Sequence, residues 1–218
     1  MTRQIGIICI VAPSLILSAC APWTIRPLDA DDAAAGSSTG VSPARYVDSI
    51  WTSKLLPEVL NSAVDARTLL DALAKSPGDA LARYARGEPN GPAYFQVKGE
   101  GVVTSVDTHS RVGVALIDLP PLDHKPDVSI QIGPVLRGTA LRDATGLVRF
   151  TDFVNQLQYA DVANEINNRV LKTVLASLNL ATLKGKKVAF AGAVAADAKA
   201  EHPLREIMPV RLEVEGAP

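Results

Sequence analysis

Two arginines and an aspartate lie close together in the segment 133–143, directly after a predicted strand. Guanidinium groups and backbone amides of glycine-containing segments bind anions, and this segment has two glycines. Further polar side chains open the long helix that is predicted to follow. We therefore predict a polar ligand pocket at one end of the fold, and its lining residues would be Arg137, Thr139, Arg142, Asp152, Asn155 and Gln156.

A purely structural role for the same side chains is the alternative. Arg142 would then pair with Asp143 or Asp152, and Asp152 would cap the N-terminus of the helix. In that case the charges would stabilise the fold without binding a ligand. The spacing of the residues is compatible with both interpretations.

The three histidines of the chain give little support for catalysis or metal binding. His109, His124 and His202 are far apart, and each falls in a predicted turn or loop. None of the zinc-protease, Gly-x-Ser-x-Gly or Walker-type motifs is present. The sequence therefore predicts a protein that is not an enzyme and has no metal and no cofactor. A hydrolase with dispersed catalytic residues remains an alternative.

The glycines at positions 99 and 101 begin like a dinucleotide-binding motif. Thr104 stands where the third glycine would be, and the segment continues as a predicted strand. No helix N-terminus is therefore available to hold a phosphate. We expect Gly99 and Gly101 to form a β-bulge or a sharp bend instead.

A second kind of chemistry is indicated by the motif Leu17-Ser18-Ala19-Cys20, which follows Arg3 and the apolar run 5–17. These are the parts of a signal peptide, and the run is too short for a transmembrane helix, which needs ~20 residues. A cysteine directly after the small residues is typical of bacterial lipoproteins. We predict cleavage before Cys20 and attachment of a diacylglycerol to its sulfur, which places the protein on the periplasmic side of a membrane. Ordinary secretion, with an unmodified Cys20, is the alternative.

Lipidation at this position would leave the mature protein without free thiol chemistry. Cys9 lies in the leader 1–19, so Cys20 is the single cysteine of the mature chain. The mature length of 218 − 19 = 199 residues is enough for a substantial core, which must supply the stability without a disulfide. The net charge of −1 gives no indication of a nucleic-acid partner.

The chain that positions these residues divides into three predicted parts. Segment 20–41 has the composition of a flexible tether, 42–92 is a helical section and 93–218 is mainly β. In the helical section, Ser42 and Pro43 predict a helix start, and Pro57 is expected to end or kink that helix. Further helices are predicted from about 65 to 76 and over 79–86. Tyr46 and Trp51 would either mark a partner surface or pack the first helix onto the β part.

The β part shows a recognisable order of elements. Three strands are predicted at 94–106, 112–117 and 128–133, the last with one apolar and one polar face. A long helix over 153–178 and two strands around 188–194 and 210–214 follow. This order predicts an α+β fold with a mainly β core, namely an OB-like five-stranded antiparallel barrel with the long helix between strands three and four. An open antiparallel sheet covered by the helices is the alternative.

Several segments of the chain form a set together with the Leu17–Cys20 motif. They are Tyr46-Val47-Asp48-Ser49-Ile50-Trp51, Lys98-Gly99-Glu100-Gly101, Val106-Asp107-Thr108, Ser110-Arg111, Ile130-Gln131-Ile132-Gly133-Pro134, Arg137-Gly138-Thr139-Ala140-Leu141-Arg142-Asp143-Ala144, Asp152-Phe153, Asn155-Gln156 and Tyr159-Ala160-Asp161-Val162-Ala163. This set resembles the predicted periplasmic lipoproteins of domain of unknown function 2291, over nearly all of the mature chain.

The resemblance implies an OB-like domain and an accessory role in carbohydrate uptake, since genes of this family often lie beside those of sugar-importing ABC transporters. The partners to expect are the membrane, through the lipid on Cys20, and either ABC transporter components or a small carbohydrate. A protein scaffold of an envelope complex is the alternative. The family has no established activity, so the resemblance assigns no catalytic residue.

Replacing Cys20 by Ala is expected to abolish lipid attachment and to release the protein from the membrane fraction, because stable anchoring needs two or more acyl chains and the diacylglycerol is attached to the sulfur of this residue. The measurement is cell fractionation with metabolic labelling by a fatty acid. Cys9→Ala, inside the leader, is the matched control and should leave both unchanged. A Cys20→Ala protein that still carries label in the membrane fraction would contradict the assignment.

Overall fold

A computed structural model describes residues 42–87, 91–197 and 203–216. The predicted leader, Cys20, the tether and His202 lie outside these residues. Within the described part of the chain, no helix is long and apolar enough to cross a membrane.

Four short helices form the N-terminal section, at Pro43–Ile50 (α1), Leu56–Ser62 (α2), Ala66–Lys75 (α3) and Pro77–Tyr84 (α4). We expected Pro57 to end or kink the first helix, but the chain continues helically from α1 into α2 through one π-helical stretch, Trp51–Leu55. Pro57 lies in the first turn of α2, a position that tolerates proline. The wider π-helical turn lies directly before it. The expectation that the helix ends there was wrong.

The next two helices are close to their predicted positions. Asp65 caps α3 by accepting a hydrogen bond from the backbone N–H of Thr68 at 2.8 Å. Helix α4 begins at Pro77, two residues earlier than predicted, because a proline fits the first turn of a helix and does not have to mark a break.

In the described part of the chain, six strands make up one sheet, at Val64–Asp65 (β1), Tyr94–Asp107 (β2), Val112–Asp118 (β3), Val128–Pro134 (β4), Lys187–Ala195 (β5) and Met208–Val214 (β6). The strand order is β4-β3-β2-β5-β6, with antiparallel pairing throughout, and β1 pairs in parallel with β2. The long β2 pairs with β5 along 94–102 and with β3 along 102–107, so it joins the two halves of the sheet.

The two ends of this strand order meet. Ile207, just before β6, accepts a backbone hydrogen bond from Gln131 at 2.9 Å and donates one to Ser129 at 2.8 Å. A parallel bridge between Ile130 and Ile207 accompanies them. The sheet is therefore curled into the predicted OB-like barrel, and the open-sheet alternative was wrong.

The β-bulge considered for Gly99 and Gly101 lies elsewhere. The register between β2 and β5 is unbroken through both glycines, and the bulge of β2 falls opposite β3, between Val103 and Ser105. A glycine is needed at 101 for another reason. A Cβ atom there would lie 2.4 Å from the carbonyl oxygen of Asp118, so this position allows β2 and β3 to approach closely.

The polar face that the sequence predicts for β4 is not exposed to solvent. Ser129 and Gln131 are buried, the latter with 3% of its surface exposed. The chain around Glu206 covers this face, and the Gln131 amide donates hydrogen bonds to the carbonyl oxygens of Arg137 and Glu206. A polar side chain can be buried here because its hydrogen bonds are satisfied.

The crossover from β4 to β5 contains a short helix, Ala140–Asp143 (α5), a 3₁₀ turn at Phe150–Asp152 and the long helix Gln156–Val170 (α6). Helix α6 continues as a π-helical turn, Leu171–Leu175, and a further 3₁₀ turn follows at Leu180–Thr182. Helix α6 begins three residues later than predicted because Asn155 is its N-cap and accepts a hydrogen bond from Gln158 N–H at 2.9 Å.

One hydrophobic core joins the helical section to the barrel. Leu55, Val59 and Leu69 of the helices are fully buried together with Phe95 and Phe190 of the sheet. Trp51 is also buried, and Tyr46 is partly buried against the core. Of the two roles considered for these aromatic residues, packing onto the barrel is the one that the structure confirms.

Gly101→Ala is expected to lower the free energy of unfolding by about 1–3 kcal/mol, since the new methyl group would press on the backbone of Asp118. Gly78→Ala is the matched control, because no atom lies within 4 Å of the added Cβ and the site is helical. That change should be neutral or should stabilise the protein by up to about 1 kcal/mol. Urea unfolding measures both, and an equal effect of the two changes would contradict the close approach of β2 and β3.

Candidate functional site

A cavity of about 340 Å³ lies between the start of β2, helix α5 and the first turn of α6. Its size is within the range of small-molecule sites. Apolar and polar residues both line it, and they are Pro92, Tyr94, Thr139, Arg142, Asp143, Gly146, Val148 and Tyr159.

An ion pair between the buried Arg142 and the half-buried Asp143 forms one wall of this cavity. Arg142, with 8% of its surface exposed, donates from Nε to Oδ1 of Asp143 at 2.6 Å and from Nη2 to Oδ2 at 3.1 Å. Its Nη1 donates to the carbonyl oxygen of Tyr159 at 3.0 Å, and its guanidinium carbon lies 3.7 Å from the centre of the Tyr159 ring. Arg142 is therefore held by hydrogen bonds and by a cation–π contact.

The Asp143 carboxylate accepts hydrogen bonds from side chains on three elements. Besides the two bonds from Arg142, it accepts from the hydroxyl of Tyr94 at 3.0 Å and from that of Tyr159 at 3.2 Å. Burial raises the pKa of Asp143. Hydrogen bonds from Arg142, Thr139 and Tyr94 together lower the pKa by more than burial raises it, so the pKa lies below its usual value. The carboxylate is ionised at neutral pH.

Burial raises the pKa of the Tyr94 hydroxyl, and the neighbouring charge of Asp143 adds to this, against an opposing hydrogen bond with Thr139. Tyr94 therefore keeps its proton and donates to Asp143. The contact between the Tyr94 and Thr139 hydroxyls is long, at 3.4 Å. Both hydroxyl oxygens thus retain capacity to accept a hydrogen bond from a bound molecule.

A second cavity, of about 520 Å³, shares Tyr94 and Thr139 with the first. It lies beside Arg137, whose guanidinium pairs with Glu206 at 3.0 Å in an exposed position. Gln131 fixes the backbone of Arg137, accepting from its N–H at 2.8 Å. The two cavities thus adjoin at one pair of hydroxyls.

The structure brings together only part of the six-residue pocket that the sequence predicts. Thr139 and Arg142 line the first cavity, and Arg137 and Thr139 line the second. Asp152, Asn155 and Gln156 are exposed, and none of them lines either cavity.

The side chains of Asp152 and Asn155 both bind to residues close to them along the chain. Asp152 pairs with Arg149 at 3.5 Å and accepts its N–H, and Asn155 caps α6. The prediction that Asp152 caps the long helix was wrong, because Asn155 is better placed. Arg142 does pair with Asp143, which is the contact that the structural alternative predicts.

The lining residues that the predicted pocket lacks include Tyr94, Tyr159 and Glu206. Tyr94 opens a strand, Tyr159 lies in the first turn of α6, and Glu206 lies in a loop near the C-terminus. Tyr159 follows the predicted site within the same helix, and this nearness is the one signal that could have added it. Nothing in the sequence links the other two to Arg137 or Arg142.

Another cavity, of about 460 Å³, is lined by charged residues that include Arg67, Lys98 and Glu100. Arg67 has a structural role there, since it donates to Asp127 at 2.7 Å and to the carbonyl oxygen of Pro120 at 2.9 Å. These bonds clamp the loop between β3 and β4. Among the residues that the structure describes, no three histidine, cysteine, aspartate or glutamate side chains are grouped to hold a metal ion.

The curled sheet and the helix between its third and fourth long strands define an OB-class barrel protein. A crystal structure of an OB-fold protein from Thermotoga maritima is similar, with a TM-score of 0.65 and 22% identity over 81% of this chain and 99% of that chain. At this identity the likeness shows the fold alone.

The chain belongs to the family described as predicted periplasmic lipoprotein, domain of unknown function 2291, whose model matches residues 10–213. The protein is therefore a lipoprotein of the cell envelope, on its periplasmic side. No curated protein matches the chain significantly.

Asp143→Asn is expected to cost about 3 kcal/mol of unfolding free energy at pH 7, because it leaves the Arg142 charge buried without its partner. The folded-state pKa of Asp143 is below the usual 3.8. The stabilisation is therefore fully present above pH 3.8 and is lost as the pH falls through the folded-state pKa. The difference between the wild type and the variant should then shrink towards pH 2.

Urea unfolding at pH 7, 4 and 2.5 measures this difference. Asp71→Asn, on an exposed position of α3, is the control and should change stability little at any of these pH values. An Asp143→Asn cost that is the same at pH 7 and pH 2.5 would contradict the ionised pair.

Proposed function

We propose that this protein is a non-enzymatic, lipid-anchored binding protein that takes up a small, neutral carbohydrate in the cavity between Tyr94 and Tyr159. The observation that carries the proposal is the position of the buried Arg142–Asp143 pair at the wall of a 340 Å³ cavity. A buried ion pair is weak evidence for a stabilising role, since an apolar pair of similar volume is often as stable. Its location beside a cavity favours a binding role.

The charge balance of the cavity favours a neutral ligand. Asp143 compensates the charge of Arg142 through two short hydrogen bonds, so no free cation is left in this cavity to select an anion. The hydroxyl oxygens of Tyr94 and Thr139 can accept hydrogen bonds, which suits the hydroxyl groups of a sugar. The apolar surface of Pro92 and Val148 suits the C–H faces of a sugar ring.

The lowered pKa of Asp143 supports binding rather than hydrolysis. A glycosidase needs a carboxylic acid whose pKa is raised towards neutrality, so that it can donate a proton to the leaving group. Asp143 is ionised and already accepts four hydrogen bonds. It therefore has the properties of an orienting group for the two tyrosines and not those of a general acid.

A role in sugar uptake follows as the finer part of the proposal. A lipid anchor keeps a sugar-binding domain close to the membrane, where a transporter acts, and the resemblance to lipoproteins encoded beside ABC transporters supports this role. The membrane-bound partner would then be a component of such a transporter.

The test is calorimetry on the mature chain with Cys20→Ser, titrated with neutral mono- and disaccharides. A sugar that binds should lose about tenfold in affinity when Tyr94→Phe and Thr139→Val are combined, because two neutral hydrogen bonds are removed. Ser53→Ala, an exposed hydroxyl of the helical section, is the control and should leave binding unchanged.

Three outcomes would contradict the proposal. The first is that no neutral sugar binds, the second is that the double variant binds as well as the wild type, and the third is that a bound sugar is cleaved. Cleavage would favour the hydrolase alternative.

A further inference from the structure

Exposed apolar side chains are concentrated in the segment 150–157. Among the described residues, five large apolar residues are exposed, and three of them lie here. Phe150 is 53% exposed, Val154 63% and Leu157 70%. We call these three residues the apolar patch. Side chains of this kind grouped on a surface mark a contact with a partner or a membrane.

The chain that leads to the lipid anchor enters the fold beside this patch. The described part begins at Ser42, directly before α1, and Tyr46 of α1 lies against Phe153, with the ring centres 5.1 Å apart. The Tyr46 hydroxyl also donates to the carbonyl oxygen of Leu147 at 3.3 Å. The first helix is thus fixed to the segment that carries the patch.

The length of the lipidated segment keeps the patch within reach of the bilayer. Segment 20–41, even if fully extended, spans no more than about 80 Å. An anchored domain meets the membrane surface repeatedly, so that a contact too weak to bind from solution is still occupied when the anchor is present.

The charges beside the patch do not oppose a lipid surface. Arg149 and Asp152 flank Phe150 and pair with each other at 3.5 Å, so they add no net negative charge. Phenylalanine and leucine are side chains that interfacial helices insert at the boundary between headgroups and acyl chains.

We propose that the apolar patch contacts the lipid surface of the membrane that anchors the protein, and so gives the domain a fixed orientation. Phe150 packs edge-on against Tyr159 at 5.6 Å, and Tyr159 lines the 340 Å³ cavity. In this orientation Tyr159, and with it one wall of the cavity, lies close to the membrane. The patch contact itself does not depend on the cavity binding a sugar.

The test places a fluorescent label in the patch of the lipidated mature protein. Because Cys20 carries lipid, Leu157→Cys gives one reactive thiol for an environment-sensitive dye. In vesicles of phosphatidylethanolamine and phosphatidylglycerol, we expect blue-shifted emission and quenching by brominated acyl chains. A label at Lys125→Cys, in the exposed loop between β3 and β4, should remain in water.

Val154→Cys is a second label position, and circular dichroism establishes that each labelled protein is folded. Water-like emission from both patch labels in pure lipid vesicles would overturn the proposal and would favour a protein partner. Blue-shifted emission of the unlipidated Cys20→Ser protein in buffer would also overturn it. If that blue shift is independent of protein concentration, segment 20–41 would be what covers the apolar patch. If the shift grows with concentration, a second copy of the chain would cover it.

Discussion

The carboxylate of Asp143 connects the three elements of the site, β2, α5 and α6, by hydrogen bonds. It accepts from Tyr94 on β2, from Tyr159 on α6 and from Arg142 beside it on α5. Each of these donors is buried or half-buried, so loss of the carboxylate would leave several polar groups without partners in a region of low dielectric constant. The spacing of the two tyrosines, and with it the width of the cavity, depends on this one side chain.

The barrel supplies the frame for that interaction. Strand β2 is bonded along one part of its length to β5 and along the other to β3, so its first residue is fixed relative to both halves of the sheet. The contacts of Ile207 with β4 join the ends of the strand order and bring Glu206 to Arg137. The second cavity therefore exists because the barrel is curled.

The sequence alone predicts the elements well and the site only in part. Period-two and helical patterns locate the five long strands and α6, because one face of each is apolar and packs on the core. The burial of Gln131 does not follow from the pattern of its strand, because it depends on a loop that is distant along the chain. The Arg142–Asp143 pair could be predicted because its members are neighbours, whereas the bonds from Tyr94 and Tyr159 depend on how β2 and α6 meet in the fold.

The division of β2 between two partners also determines how this chain can fold. Tyr94 pairs with Ala195, so one edge of the strand has no partner until a segment about a hundred residues later in the chain is available. Pairing over such a distance carries a large entropic cost of loop closure and slows folding. A nascent chain that ends before β5 would expose the edge of its longest strand, which makes completion of the chain a condition for protection against aggregation.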